Sequence, residues 1–271
     1  MKKLLYYLIL FIFFPTTLFA QWNSRVEFED GDLRVSAQTY YLNIAKGIIK
    51  RAEAVNIIGV CNSTGAAHQV IWDSSGTYNP LAAAESLMVC SNNAADDKGG
   101  TGGRTVIFEG LDADYNVIRD TLDLDGTNRV KSAKEFLRLN RAWVDSSGAD
   151  TLKGNLRITN LGADTTVGMI NAYDGQTYHA FYTVPDNYTL YLAYFECSIA
   201  QAVIASFGIH IIPYNKTDRS IWVKKIQYTT SGNEFIFPIV ISERTDVYLA
   251  VETTAASDVT ASLIGWIERN D

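Results

Sequence analysis

From residue 56 onward, apolar and polar positions alternate in short runs separated by turn-forming residues. This is the two-residue period of half-buried strands. Arg104-Thr-Val-Ile-Phe-Glu109 predicts a strand, Gly110 to Asn116 a turn, and Val117 to Leu124 the returning strand. The dipeptide Asp125-Gly126 closes that strand as a tight turn. Phe136 to Val144 continues the pattern, Asp145-Ser-Ser-Gly148 punctuates it, and Leu156 to Thr159 follows. Beyond residue 165 the pattern predicts strands over Gln176 to Val184, Tyr188 to Ser198, Val203 to Ile212 and Ile221 to Thr229. Glu234 to Ile241, Asp246 to Glu252 and Ser262 to Glu268 complete the set, with turn clusters at 215–218, 231–233 and 253–258. Two stretches read as helices instead: Tyr40 to Ala54, interrupted by Gly47, and Leu81 to Met88.

Regular short strands with this punctuation predict an all-β fold of two β-sandwich or jelly-roll-like domains behind an extended N-terminal arm. The expected domains are residues 56–161 and 165–271, divided at Gly162-Ala-Asp-Thr-Thr166. Residues 21–55 form the arm, acidic from Glu27 to Asp32 and lacking a core of its own. Residues 1–20 carry Lys2 and Lys3, an apolar run from Leu4 to Phe14, Pro15, and a small residue at Ala20. That order predicts a signal peptide or a hydrophobic anchor; the run is shorter than the roughly 20 residues that span a bilayer.

Composition narrows the function. Of 271 residues 47% are hydrophobic and 20% charged, which excludes disorder as the main state. The net charge of −7 argues against a nucleic-acid partner, because neutralising phosphates takes a basic face. The three cysteines, Cys61, Cys90 and Cys197, show no metal-ligand spacing. In an exported protein Cys61–Cys90 is the favoured disulfide; buried free thiols are the alternative.

The sequence contains no catalytic motif. Its three histidines, His68, His179 and His210, stand far apart in the chain. Lys98-Gly-Gly-Thr-Gly-Gly103 feeds a strand where a phosphate cradle would feed a helix, so it reads as a flexible turn. Asp112, Asp114 and Asn116 match the first ligand positions of a calcium loop, but Val117 stands where that loop requires Gly. They remain a weak Ca²⁺ candidate, beside Asp96-Asp97 and Asp123-x-Asp125, and no other metal or cofactor is expected. Tyr178, Tyr182, Tyr188, Tyr191 and Tyr194 fall along two strands expected to be adjacent, with one face core and the other free for a subunit or a glycan. Gly110, Gly126 and Gly148 are expected at turns requiring positive φ. Arg104, Arg138 and Arg141 are expected to bridge to acidic loops such as Asp112 to Asp114.

One block carries a resemblance. Gly100-Thr-Gly102 with Arg104-Thr-Val106, Gly110-Leu-Asp112 with Tyr115-Asn116, Leu124-Asp-Gly126, and Phe136-Leu-Arg138 with Arg141-Ala142 stand in fixed order. Tyr41 to Gly47, Ile71-Trp72 and Tyr182 to Pro185 extend the similarity. The pattern resembles a family of uncharacterised virion structural proteins of tailed bacteriophages of aquatic origin. The resemblance implies a non-enzymatic virion component, head-associated or fibre-like, that packs with copies of itself and other virion proteins. A signal-like N-terminus departs from what a phage subunit needs. The alternative expectation is therefore a secreted bacterial binding module, an adhesin or carbohydrate binder.

Overall fold

The computed structural model describes residues 27–29, 32–34, 37–63, 65, 67–74, 76–214, 219–227 and 230–270. The segment 1–20 read as a signal or anchor lies outside them. No helix among the described residues is long and apolar enough to cross a membrane. The described residues up to 50 and those from 51 onward form two compact units.

In the first unit, β1 (Glu27–Glu29) and β2 (Asp32–Arg34) pair as an antiparallel hairpin, followed by α1 (Ala37–Ala45). The helix expected over 40–54 is thus cut short. Gly47, at φ 66°, ends it: its N–H reaches Ile44 O at 2.8 Å, and the N–H of Ile48 reaches Asn43 O at 2.9 Å. These two bonds close a Schellman cap, which needs a residue at positive φ that Gly supplies without strain.

The second unit is built of β3 (Ala52–Ser63), β4 (Gln69–Val70), β5 (Glu85–Ser91), β6 (Gly103–Leu111), β7 (Val117–Asp123), β8 (Val130–Phe136), β9 (Arg138–Ser147) and β10 (Leu156–Thr159). It continues through β11 (Thr166–Ile170), β12 (Phe181–Thr183), β13 (Tyr188–Ile199), β14 (Ile204–Pro213), β15 (Arg219–Gln227), β16 (Thr230–Ile241), β17 (Thr245–Thr253) and β18 (Ser257–Arg269). The fold is all-β.

Two sheets, ordered β16-β13-β18-β3 and β12-β17-β14-β15, enclose a core around Phe195, Phe207, Leu190 and Leu249. Numbered along the chain from β3 and then β12 to β18, the orders read 6-3-8-1 and 2-7-4-5, the double Greek key of a jelly roll. The second strand of this roll comes from two chain segments. β12 pairs with β17 at residues 246–248, and β4 pairs with the same strand at Ala250 and Val251. Between them Ile71 and Ala180 bond Leu249 from its two sides of the register, and Trp72 bridges His179. The chain leaves the roll after Trp72 and returns at His179. Gly59 on β3 makes room for this seam, since a Cβ there would stand 2.5 Å from Ala180 N and from Ile71 O.

Residues 73–178 form a second sandwich inserted at that seam. Its sheets are β11-β10-β5-β8 and β7-β6-β9, closed over Phe108, Phe136, Leu87 and Ile158. The expected boundary at 162 falls in the turn joining the paired strands β10 and β11. The crossing between cores lies later, between Ile170 and Ala180, and residues 52–72 belong with the C-terminal strands.

Several elements differ from the reading of the sequence. Residues 85–88, expected helical, lie in β5, where pairing with β8 and β10 buries Leu87 and Val89. The single strand expected over 136–144 is broken at Leu137, whose N–H turns to Leu111 O at 2.7 Å. Asp145 to Ser147 extend β9 with exposed side chains, and residues 231–233 lie inside β16. Of the strand expected over 176–184, only Phe181–Thr183 forms a ladder.

Candidate functional site

The insertion leaves the roll through a narrow neck, and the side chains there are matched to one another. Asp73 accepts a hydrogen bond from the Tyr178 N–H at 2.6 Å and one from Asn171 Nδ2 at 3.2 Å. Burial, reinforced by the nearby Asp174 carboxylate, holds the Asp73 carboxyl up at about 7 despite the Tyr178 bond. His179 is 4% exposed, and burial pushes it down to about 4, so it is neutral at pH 7. Its Nε2 donates to Asn140 O at 2.7 Å, which leaves Nδ1 an acceptor without a partner. The ring stacks on Phe181 at 3.8 Å, and Phe181 stacks in turn on Tyr78 at 4.0 Å.

A second set of contacts joins β9 of the insertion to the roll. Arg138 presents a fork to Asp246, Nε to Oδ1 and Nη2 to Oδ2, both at 3.0 Å. Its Nη1 donates to Leu81 O and Leu137 O, and Thr183 Oγ1 donates to Asp246 Oδ1 at 2.6 Å. Asn140 and Thr183 exchange two further bonds, each 2.9 Å. Farther out, Arg244 pairs with Asp186 and lies over the rings of Tyr115 and Tyr214. Charge-assisted, two-pronged bonds of this kind fix orientation as well as distance. The arrangement is a joint built of paired hydrogen bonds, those of Arg138 charge-assisted.

Two clefts flank the joint. One, of about 360 Å³, runs beside residues 53–58 of β3 and is faced by Glu109, Asn140, Arg141, Gln176 and Tyr182. The other, of about 530 Å³, lies among residues 80–84, Tyr115, Arg138, Tyr214 and Arg244.

The three arginines singled out in the sequence do not reach the 112–114 loop. Arg104 bonds Gly100 O, Arg138 takes Asp246, and Arg141 bonds Gln176 and lies over Trp143 at 5.0 Å. The loop closes on itself: Asp112 Oδ1 accepts the N–H groups of Asp114 and Asn116, and both its oxygens face Asn116 Nδ2. That carboxylate is spent on its own turn, and no metal-ligand cluster of three or more acidic, His or Cys side chains occurs among the described residues. Asp96, from the neighbouring acidic pair, is fully buried. It accepts from the N–H groups of Gly103, Lys153 and Gly154 and from Ser91 Oγ. The Gly-rich segment turns against this buried carboxylate, Gly103 N–H donating to it, and then enters β6.

Of the three glycines, only Gly126 has positive φ, at 55°. Gly110 and Gly148 serve close approach instead, to Arg138 O and to the 100–101 backbone. The tyrosines do not form one platform, because β12 and β13 belong to different sheets. Tyr182 and Tyr188 pack on the core and Tyr178 stands at the neck. Tyr191 and Tyr194 share the outer face although three residues apart, because a bulge at Ala193 shifts the phase. None of the three cysteines forms a disulfide. Cys61 and Cys197 are buried in the roll, and Cys90 lies in β5 of the insertion. His68 and His210 meet with Nε2 atoms 3.0 Å apart across 142 residues, a contact that no sequence spacing announces.

No protein-family model matches the chain, and no curated protein matches it. Among solved structures it is similar to infectious bursal disease virus, Gt strain, at 9% identity over 82% of this chain and 78% of that one, with a TM-score of 0.19. The D431N mutant VP2 protein of the same virus, in T=1 particles, gives 10% identity over 81% and 78%, TM-score 0.19. VP17, a capsid protein of bacteriophage P23-77, gives 6% identity over 81% of this chain and 97% of that one, TM-score 0.21.

Proposed function

We propose that this chain is a non-enzymatic structural subunit of a virus particle, packing with copies of itself and with other virion proteins. The observation that carries the reading is the jelly roll with a second sandwich joined to it by the Arg138–Asp246 and Asn140–Thr183 contacts. Jelly rolls tile well because their two flat sheets and closed core leave the loops and strand edges free for neighbours. A joint that fixes orientation serves a shell, in which every copy must present the same shape. The resemblance of residues 94–148 to phage virion proteins points the same way.

The test is the mass of the purified protein by light scattering after size exclusion. A defined trimer or larger assembly of the 30.0 kDa chain supports the reading. A monomer at every concentration overturns it.

A further inference from the structure

Strand β3 is the last strand of its sheet, paired with β18 on one side only. Two hydrogen bonds fix the direction of its backbone groups. Arg269 N–H donates to Arg51 O at 2.9 Å, toward β18, and Val60 N–H donates to Tyr178 O at 3.3 Å, away from it. The ladder runs without a bulge from Ala52↔Glu268 to Ser63↔Ser257. In an antiparallel pair alternate residues bond alternate sides. Odd-numbered residues therefore serve β18, and Ala54, Asn56 and Ile58 direct their N–H and C=O groups outward. No strand among the described residues meets them, and the 360 Å³ cleft opens beside them.

Exposed edges are ordinarily blunted by Pro, Lys or a bulge. Residues 52–58 read Ala-Glu-Ala-Val-Asn-Ile-Ile, with none of the three. A regular, unpaired edge beside a groove is the geometry that takes up an added strand. The N-terminal unit holds a strand in need of a sheet: β1 and β2 form a two-stranded sheet of three residues each, below what holds together alone in water.

We propose that the arm hairpin of a second copy of this chain adds to the free edge of β3. The inference rests on the assembling-subunit reading, and it names the contact that propagates. Each copy carries both the edge and the arm, so the contact repeats from copy to copy.

The experiment compares full-length Asn56→Pro with Asn56→Ala. Proline removes an N–H that the β18 ladder does not use, so the sheet keeps its bonds. The expected result is an assembled wild type and Asn56→Ala variant, a monomeric Asn56→Pro variant, and an unfolding midpoint for the latter within a few degrees of wild type. A synthetic peptide of residues 22–36, in excess, is expected to dissociate the wild-type assembly while a scrambled peptide does not. That competition decides the matter if Asn56→Pro fails to fold. Assembly unaffected by both the proline and the peptide overturns this inference and leaves the subunit reading standing. A peptide that binds without changing the mass overturns the second copy as occupant. A wild-type chain that is monomeric throughout removes the subunit reading itself, and this inference with it.

Discussion

A single added methyl group tests the closest backbone approach in the insertion. A Cβ on Gly110 would stand 2.0 Å from Arg138 O, between two hydrogen-bonded strands that cannot separate without breaking the ladder. At Gly126 the nearest atom is 3.1 Å away, and the obstacle is the backbone angle. Gly110→Ala is therefore expected to cost on the order of 3 kcal/mol in urea unfolding, and Gly126→Ala about 1–2 kcal/mol. Equal or reversed losses would contradict this account. The glycines themselves are visible in the sequence, but the reason for Gly110 is not. It arises from a register shift between β6 and β9, whose partner residues lie some 30 positions apart. Asp96 was hidden for the same reason, as two of its four donors come from residues 153 and 154. The cysteines give a second check. Burial pushes the Cys61 thiol up to about 12, and Cys197 is also buried, whereas Cys90 is half-buried. A thiol reagent on the native protein at pH 7.5 should modify Cys90 first, and the other two only after unfolding. Fast labelling of Cys61 would contradict its place in the core.

At the scale of elements, the period of two carried most of the fold because these strands each have one wet face. β5 and β13 alternate buried and half-buried positions almost without interruption. Structure departs from pattern where a neighbour outvotes local preference. Leu-Ala-Ala-Ala-Glu-Ser-Leu-Met, residues 81–88, has strong helical propensity, yet β8 and β10 recruit its second half into a sheet. The split of the roll's second strand was illegible for a related reason: β4 is two residues long and its other half lies over a hundred residues away. Beside the Arg138–Asp246 fork, the joint between β9 and the roll uses a side chain, Asn140, that nothing in the sequence distinguishes. Asn140→Ala removes both bonds to Thr183, 2.9 Å each. It should destabilise the protein by about 2 kcal/mol, from two hydrogen bonds at about 1 kcal/mol each. An unchanged midpoint in denaturant would show that the Arg138–Asp246 fork holds the joint unaided.

For the whole molecule, the neck links stability to pH through two groups of opposite sense. Asp73 has a folded pKa raised from 3.8 to about 7, chiefly by burial. Its contribution is most favourable below the unfolded value and is lost as pH rises through about 4 to 7. His179 has a folded pKa lowered from 6.5 to about 4, also by burial. Its contribution is intact above 6.5 and is lost as pH falls toward 4. Asp73→Asn keeps an acceptor for the Tyr178 N–H and abolishes the first titration. The melting temperature of this variant should gain on wild type steadily from pH 4 to pH 7 and then level off. A constant difference across that range would contradict the raised pKa of this half-buried carboxylate.

The split strand also bears on engineering. Ile71 and Ala180 are hydrogen-bonded neighbours, so the two ends of a passenger of more than a hundred residues emerge side by side. A turn of a few residues can replace that passenger and restore one continuous strand. The host roll is then a chassis in which cargo is exchanged at a fixed port without rewriting the frame. A foreign domain whose own termini lie together can be carried at the same port.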